Sequence, residues 1–157
     1  MYSTPLAYFI SFRTYGTWFH GDARGSVDRI HNEFGSPMLP ASDSRERFER
    51  SELKHPPVTL DQPQRELIDR TIREVCAHRG WRLLALNVRS NHVHVVVEAA
   101  GPPELVMNAF KAWATRRLRE ARLLPKSSRI WSRHGSTIYL FKPEQIDAKC
   151  RYVRDCQ

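Results

Sequence analysis

The most constraining feature of this chain is a pair of histidines one residue apart in a valine-rich run. Segment 91–97 reads NHVHVVV, and such a series of β-branched residues favours a β-strand. Side chains on a strand alternate between its two faces, so His92 and His94 project together while Val93, Val95 and Val97 cover the opposite face. Two neighbouring imidazoles predict half of a metal site, although imidazole alone does not select the metal.

The charge of the chain indicates a polyanionic partner. Its 157 residues are the length of one ordinary domain, which we assign to residues 1–157. It has 25 Lys and Arg against 17 Asp and Glu, giving a formal net charge of +8. Nucleic acid is the commonest partner of such a basic domain, although many basic proteins bind nothing acidic.

Cysteine usage and hydropathy bear on where the protein acts. The three cysteines, Cys76, Cys150 and Cys156, are an odd set without a CxxC pair, and the chain does not open on a signal segment. This pattern is typical of a reduced, cytoplasmic protein. No apolar run approaches the roughly 20 residues of a membrane span, so we expect no membrane partner.

Periodicity predicts an α+β fold of the ferredoxin-like type. The expected elements, in order, are a strand at 6–14, a helix at 61–79, strands at 81–88 and 91–98, a helix after 101–103, a strand at 136–141 and a last helix from Pro143. The order is β-α-β-β-α-β plus a C-terminal helix, interrupted by a long polar insertion at about 22–60. In this fold both main helices cover one sheet face, so His92 and His94 are expected on the opposite, open face.

A candidate nucleophile lies on the last predicted helix. Tyr152 stands off the apolar stripe of that helix and is flanked by Lys149, Arg151 and Arg154. Nearby cations would favour the phenolate and receive a phosphate. Half-buried packing is the ordinary role of such a tyrosine, and Tyr139 in the last strand is a second candidate.

Four parts of the chain resemble a known protein family. The likeness rests on the histidine strand 91–97, on segment 12–18 (FRTYGTW), on segment 111–115 (KAWAT) and on Tyr152. Together they resemble the single-tyrosine HUH transposases of bacterial insertion sequences and their REP-associated tyrosine transposase relatives. The histidine strand and the opening segment are the more specific parts of the likeness.

The resemblance implies a metal-dependent enzyme that nicks and rejoins single-stranded DNA at hairpins. His92 and His94 would hold Mg²⁺ or Mn²⁺, and Tyr152 would form a 5′-phosphotyrosine intermediate. The family commonly takes a third ligand from a glutamine one helical turn after the tyrosine. Gln157 is the candidate here, although it follows Tyr152 by five residues rather than four. The resemblance also implies a homodimer.

Several residues are candidates for binding the DNA strand. These are Arg13 in the opening segment, Arg116, Arg119 and Arg122 along the second helix, and Trp131 as a platform for unpaired bases. A helical arginine stripe is more often a solvated face. The main rival interpretation is a domesticated relative that binds DNA or RNA hairpins on the same sheet face without cutting them.

Overall fold

The computed structural model describes residues 4–17, 57–124 and 129–155. Within these ranges the chain forms four strands and three helices, which in order are β1 (Ala7–Thr14), α1 (Gln62–Arg79), β2 (Arg82–Val88), β3 (His92–Glu98), α2 (Pro103–Glu120), β4 (Trp131–Leu140) and α3 (Pro143–Asp155). The order of elements is the one that the sequence predicts.

The four strands form one antiparallel sheet in the order β2-β3-β1-β4. This order confirms the ferredoxin-like topology, in which the first and third strands are central. Strands β2 and β3 form a hairpin, closed by a hydrogen bond of 2.8 Å from the Arg89 N–H to the His92 carbonyl. The strand with the histidines is therefore paired on both of its edges.

Local sequence signals set both ends of α1. The Asp61 carboxylate accepts a hydrogen bond of 2.9 Å from the Gln64 N–H, and the Gln64 side chain accepts one of 2.7 Å from the Asp61 N–H. This reciprocal capping box satisfies two donors that a helix start leaves unpaired. At the other end, Gly80 adopts a left-handed φ of 73°, which glycine reaches without a Cβ penalty.

The larger apolar core lies between the sheet and the helices α1 and α2. Val93, Val95 and Val97 of β3 are fully buried in it, as the alternation predicts. Helix α1 contributes Ile68 and Ile72 to this core. Other members from β1 and α2 are Tyr8, Ile10, Phe12, Val106, Met107, Phe110, Ala114 and Leu118. This core fixes which face β3 turns towards α1 and α2.

The sequence-based topology predicted that the opposite face of the sheet is open. This prediction is wrong, because α3 packs across that face. Cys150 and Val153 of α3 are buried in a second apolar cluster with Phe9, Val96 and Leu140 of the sheet. The apolar stripe of α3 would otherwise face water, so the helix covers part of the sheet. This packing carries Tyr152 onto the same face as the two histidines.

Strand β4 begins at Trp131, five residues before its predicted start at Ser136. The sequence pattern did not reveal these residues because the first half of the strand is irregular. The pairing register with β1 shifts between Phe12 and Thr14. The buried Lys111 ammonium donates hydrogen bonds to the carbonyls of Ser132 (3.0 Å) and His134 (3.4 Å) in this irregular half. Lys111 of α2 thus satisfies two backbone carbonyls of the irregular half of β4. The residues of this half do not alternate between apolar and polar in the sequence.

The described end of the predicted insertion, residues 57–60, runs beside the ends of the central strands. The Val58 N–H donates to the Tyr15 carbonyl (2.9 Å) and the Leu60 N–H to the Ser90 carbonyl (2.6 Å). Leu60 is buried in the larger core. The rest of the insertion lies outside the described residues. None of the helices in the described ranges combines the length and apolar character that a membrane span needs.

We expect Lys111 to make stability depend on pH. Burial, with a smaller contribution from Arg129, lowers the pKa of Lys111 from 10.5 to about 8. Between these values the unfolded chain binds the proton more tightly, so stability rises with pH across this window. Relative to Lys111→Met, the free energy of unfolding of the wild type should increase by roughly 3 kcal/mol from pH 7 to 10.5. Urea denaturation across this range measures the difference, and a difference that stays constant would contradict the assignment.

Candidate active site on the histidine face

The histidine face is built from three neighbouring strands. Across the β1–β3 ladder His94 is paired with Ser11 and His92 with Arg13, while across the β2–β3 ladder His94 is paired with Asn87. Paired residues of antiparallel strands project to the same face, so these five side chains share one surface. The face is polar here because the core valines occupy the alternate positions.

His94 is held in a fixed and uncharged state. Its Nδ1 atom and the Ser11 hydroxyl share a buried hydrogen bond of 2.6 Å, and both residues are less than a tenth exposed. Burial lowers the pKa of His94 to about 3, and the positive charges of His92 and Arg13 contribute to the same direction. A neutral imidazole is the form that binds a metal ion.

His92 is oriented by its neighbour in the hairpin. Its Nδ1 lies 2.8 Å from the Asn91 side-chain oxygen, which can only accept, so Nδ1 carries the proton. The ring centroids of His92 and His94 are 4.7 Å apart. In both residues Nδ1 is engaged by a polar neighbour, so Nε2 is the nitrogen of each ring that would bind a metal. Ligating histidines usually make this second hydrogen bond.

Tyr152 reaches this face from α3. Its ring centroid is 5.6 Å from that of His94 and 6.1 Å from that of Phe9, and the side chain remains 40% exposed. The Asn87 amide donates a hydrogen bond of 2.9 Å to the Val153 carbonyl, which belongs to the last turn of α3. The strand residue beside His94 is thereby tied to the helix residue beside Tyr152.

A lysine lies at the junction of these aromatic rings. The Lys149 ammonium is 4.7 Å from the Phe9 ring centroid and 5.5 Å from the Tyr152 ring centroid. Both distances are within the range of cation–π attraction. Burial lowers the pKa of Lys149. Three cations lie near Tyr152 in the sequence. In the structure Lys149 lies on the histidine face, whereas Arg151 and Arg154 are exposed.

The structure gathers some predicted site residues and separates others. Arg13 is buried on the histidine face beside His92. By contrast Arg116, Arg119 and Arg122 are exposed on or just after α2, which covers the other face of the sheet, and Arg116 is paired with Glu120 at 3.0 Å. These three do not meet the histidine pair, and their binding to DNA stays a prediction.

The prediction that Trp131 stacks on bases conflicts with its position. The ring is 8% exposed in the larger core, 4.9 Å from the Phe12 ring centroid, and its indole N–H donates to the Lys111 carbonyl at 3.1 Å. Its apolar surface and its donor are both satisfied inside the protein. Tyr139, the second candidate nucleophile, stacks on Tyr8 at the helix-side core and not beside the histidines.

The arrangement fits a divalent metal with two protein ligands in the described ranges. Both imidazoles have their second nitrogen occupied, and His94 is neutral. No cluster of three or more His, Cys, Asp or Glu residues suited to a metal occurs within 4–17, 57–124 and 129–155. Gln157, the predicted third ligand, lies outside the described residues. A site with few protein ligands leaves positions for water or a phosphate oxygen.

Sequence reasoning missed the residues that support the pair. Ser11 and Asn87 are polar positions in apolar strands, and Asn91 directly precedes His92. The alternation of Ser11 and Arg13 with buried residues was a usable signal for a polar face on β1. The contact between Asn87 and Val153 joins residues 66 positions apart, and nothing in the local sequence indicates it.

Sequence comparison identifies a family for this chain. The family model described as "Transposase IS200 like" matches residues 55–155, which is more than half of the chain. The chain belongs to this family. The matched region includes the histidine strand, both helices of the larger core and the tyrosine helix. No curated protein sequence matches the chain.

Two solved structures of transposases share the fold of this family member. A protein from Deinococcus radiodurans R1 that is assigned as a transposase is similar with a TM-score of 0.51 and 16% identity, covering 94% of this chain and 88% of that one. A REP-associated tyrosine transposase bound to a REP hairpin is similar with a TM-score of 0.54 and 13% identity, covering 98% and 67%. At these identities the likeness supports the fold.

We expect Asn87→Ala to loosen the tyrosine helix selectively. The substitution removes the hydrogen bond to the Val153 carbonyl, which is worth about 1 kcal/mol, or roughly fivefold in a local opening equilibrium. Amide hydrogen exchange should accelerate by about that factor in the last turns of α3. Exchange in the middle of α1 is the internal control, and equal acceleration in both helices would contradict the assigned role.

Proposed function

We propose that this IS200-like transposase cuts and rejoins single-stranded DNA through a covalent bond between Tyr152 and a 5′-phosphate. The observation that carries the proposal is the position of Tyr152, whose half-exposed ring lies 5.6 Å from that of the buried His94. Tyr8, which packs in the core, is buried, whereas the exposure of Tyr152 leaves its ring accessible to a DNA strand on the histidine face. Family membership supports the same reaction class.

The reaction would proceed by a direct exchange of phosphate esters. The Tyr152 oxygen forms a bond to the phosphorus as the bond from phosphorus to the 3′-oxygen breaks. The released 3′-oxygen takes a proton and becomes a 3′-hydroxyl, while the phenol proton goes to solvent. A 3′-hydroxyl of another strand end can then attack the phosphotyrosine and displace Tyr152. The covalent link conserves the bond, so rejoining needs no external energy.

His92 and His94 would hold Mg²⁺ or Mn²⁺ on this face, with Gln157 as a further candidate ligand. The metal would supply a positive charge that offsets the charge developing on the non-bridging phosphate oxygens. Ser11 and Asn91 keep the two imidazoles in place through their Nδ1 atoms. Arg13, buried beside His92, would add a fixed positive charge for the phosphate.

The substrate would be a single strand with hairpin ends. A REP-associated tyrosine transposase of similar fold is bound to a REP hairpin, which supports this class of substrate. The net charge of +8 supports binding to a polyanion. We further propose a homodimer as the acting form, which light scattering of the free and DNA-bound protein would measure.

The test is the formation of a covalent adduct. With Mg²⁺ or Mn²⁺ and a library of single-stranded hairpin oligonucleotides, the wild type should form a protein–DNA band on a denaturing gel. Tyr152→Phe should abolish this band because it removes the attacking oxygen. His94→Ala should reduce adduct formation by at least about 100-fold, since it removes a metal ligand.

Tyr139→Phe is the matched control, because Tyr139 lies on the other side of the sheet and keeps its ring in the variant. It should form the adduct as the wild type does. Tight hairpin binding by the wild type without an adduct under either metal would favour the rival function, a hairpin-binding protein that does not cut.

A further inference from the structure

Lys149 is the cation of α3 that the fold directs into the site. It precedes Tyr152 by three residues, which places both side chains on neighbouring positions of one helix face. Its ammonium lies against the rings of Phe9 and Tyr152, and the Phe9 ring is itself 5.4 Å from that of His94. The lysine charge therefore lies beside the Tyr152 ring and beside the Phe9 ring that contacts His94, and it is close enough to His94 to contribute to the lowered pKa of that residue.

The surroundings of Lys149 are unusual for a surface lysine. Its side chain is half-buried, although lysine is normally solvated, and Phe9 belongs to the apolar cluster beneath α3. A phosphate bound on the histidine face beside Tyr152 would be attracted by the charge of this ammonium.

The two other cations near Tyr152 have different settings. Arg151 and Arg154 are exposed and project from other sides of the helix than Lys149 does. Spacing in the sequence does not separate the three, because all lie within one turn of Tyr152. The packing of Cys150 and Val153 against the sheet decides which of the three faces the site.

We infer that Lys149 is a catalytic residue that binds a non-bridging oxygen of the scissile phosphate, on the side of the phosphate nearer α3. The inference rests on the proposed function of Tyr152. Lys149 stays protonated and forms no covalent bond. It donates a hydrogen bond to the phosphate oxygen while the bond from Tyr152 to phosphorus forms and the bond to the 3′-oxygen breaks. The same contact would stabilise the reverse step, in which the tyrosine oxygen leaves.

The experiment measures single-turnover adduct formation with a hairpin oligonucleotide that the wild type cleaves. At saturating DNA, Lys149→Met should slow the reaction by about 100-fold, the effect of removing one donor to a developing anion. Lys149→Arg should recover at least about tenfold, because it restores a cationic donor. Arg151→Met, which removes the same charge from the same helix, should stay within about threefold of the wild type.

A second readout separates contact with the phosphate from a structural role. Sulfur is placed at each non-bridging position of the scissile phosphate in turn. For each protein, the slowing caused by sulfur is the rate with the all-oxygen substrate divided by the rate with the sulfur-substituted substrate. For one of the two diastereomers this slowing should be larger in the wild type than in Lys149→Met, because only the wild type has a contact to lose. Hairpin affinity by fluorescence anisotropy and thermal unfolding should be similar in Lys149→Met and Arg151→Met.

The outcomes distinguish failure of the proposed function from failure of the role of Lys149 alone. A wild type that forms no adduct overturns the proposed function together with the role of Lys149. A wild type that forms the adduct, with Lys149→Met reacting as fast as Arg151→Met, overturns the role of Lys149 alone. Slower reaction in Lys149→Met with unchanged preference between the two sulfur diastereomers also overturns the contact, because it indicates a structural effect.

Discussion

The two-sided burial of the central strand β3 is the constraint on which the rest of the structure depends. Its three alternate valines fill the core against α1 and α2, and a slip of one residue would turn them to the other face. That slip would carry His92 and His94 into an apolar layer without Ser11 or Asn91. The core therefore does more than stabilise the fold, since it fixes where both imidazoles point.

The tyrosine helix depends on the same sheet in a second way. Helix α3 crosses the histidine face by burying Cys150 and Val153 against Phe9 and Val96, and Asn87 holds its last turn. Tyr152, the proposed nucleophile, and the histidines are thus positioned by the sheet and a packed helix rather than by a loop. A site built on strands and a packed helix keeps its groups within the narrow geometry that phosphate transfer requires.

Local patterns predicted most of the fold and the shared sheet face of His92 and His94. Alternation around His92 and His94, the glycine at position 80 and the proline at 143 identified the elements, because each is a short-range property of the chain. The Ser11 contact with His94, the placement of α3 and the burial of Trp131 depend on residues far apart in sequence. Tertiary packing decides these, and it turned an aromatic side chain that suited base stacking into a core residue.

We propose that both imidazoles of the histidine face bind one divalent metal. Pulsed electron paramagnetic resonance of the protein loaded with Mn²⁺ tests it most directly, since couplings to ring nitrogens report coordinated histidines. If both imidazoles bind the metal, the wild type should show couplings from two imidazoles, and His92→Ala and His94→Ala should each show couplings from one. A Mn²⁺ spectrum without nitrogen couplings in the wild type, or one that neither substitution changes, would contradict it.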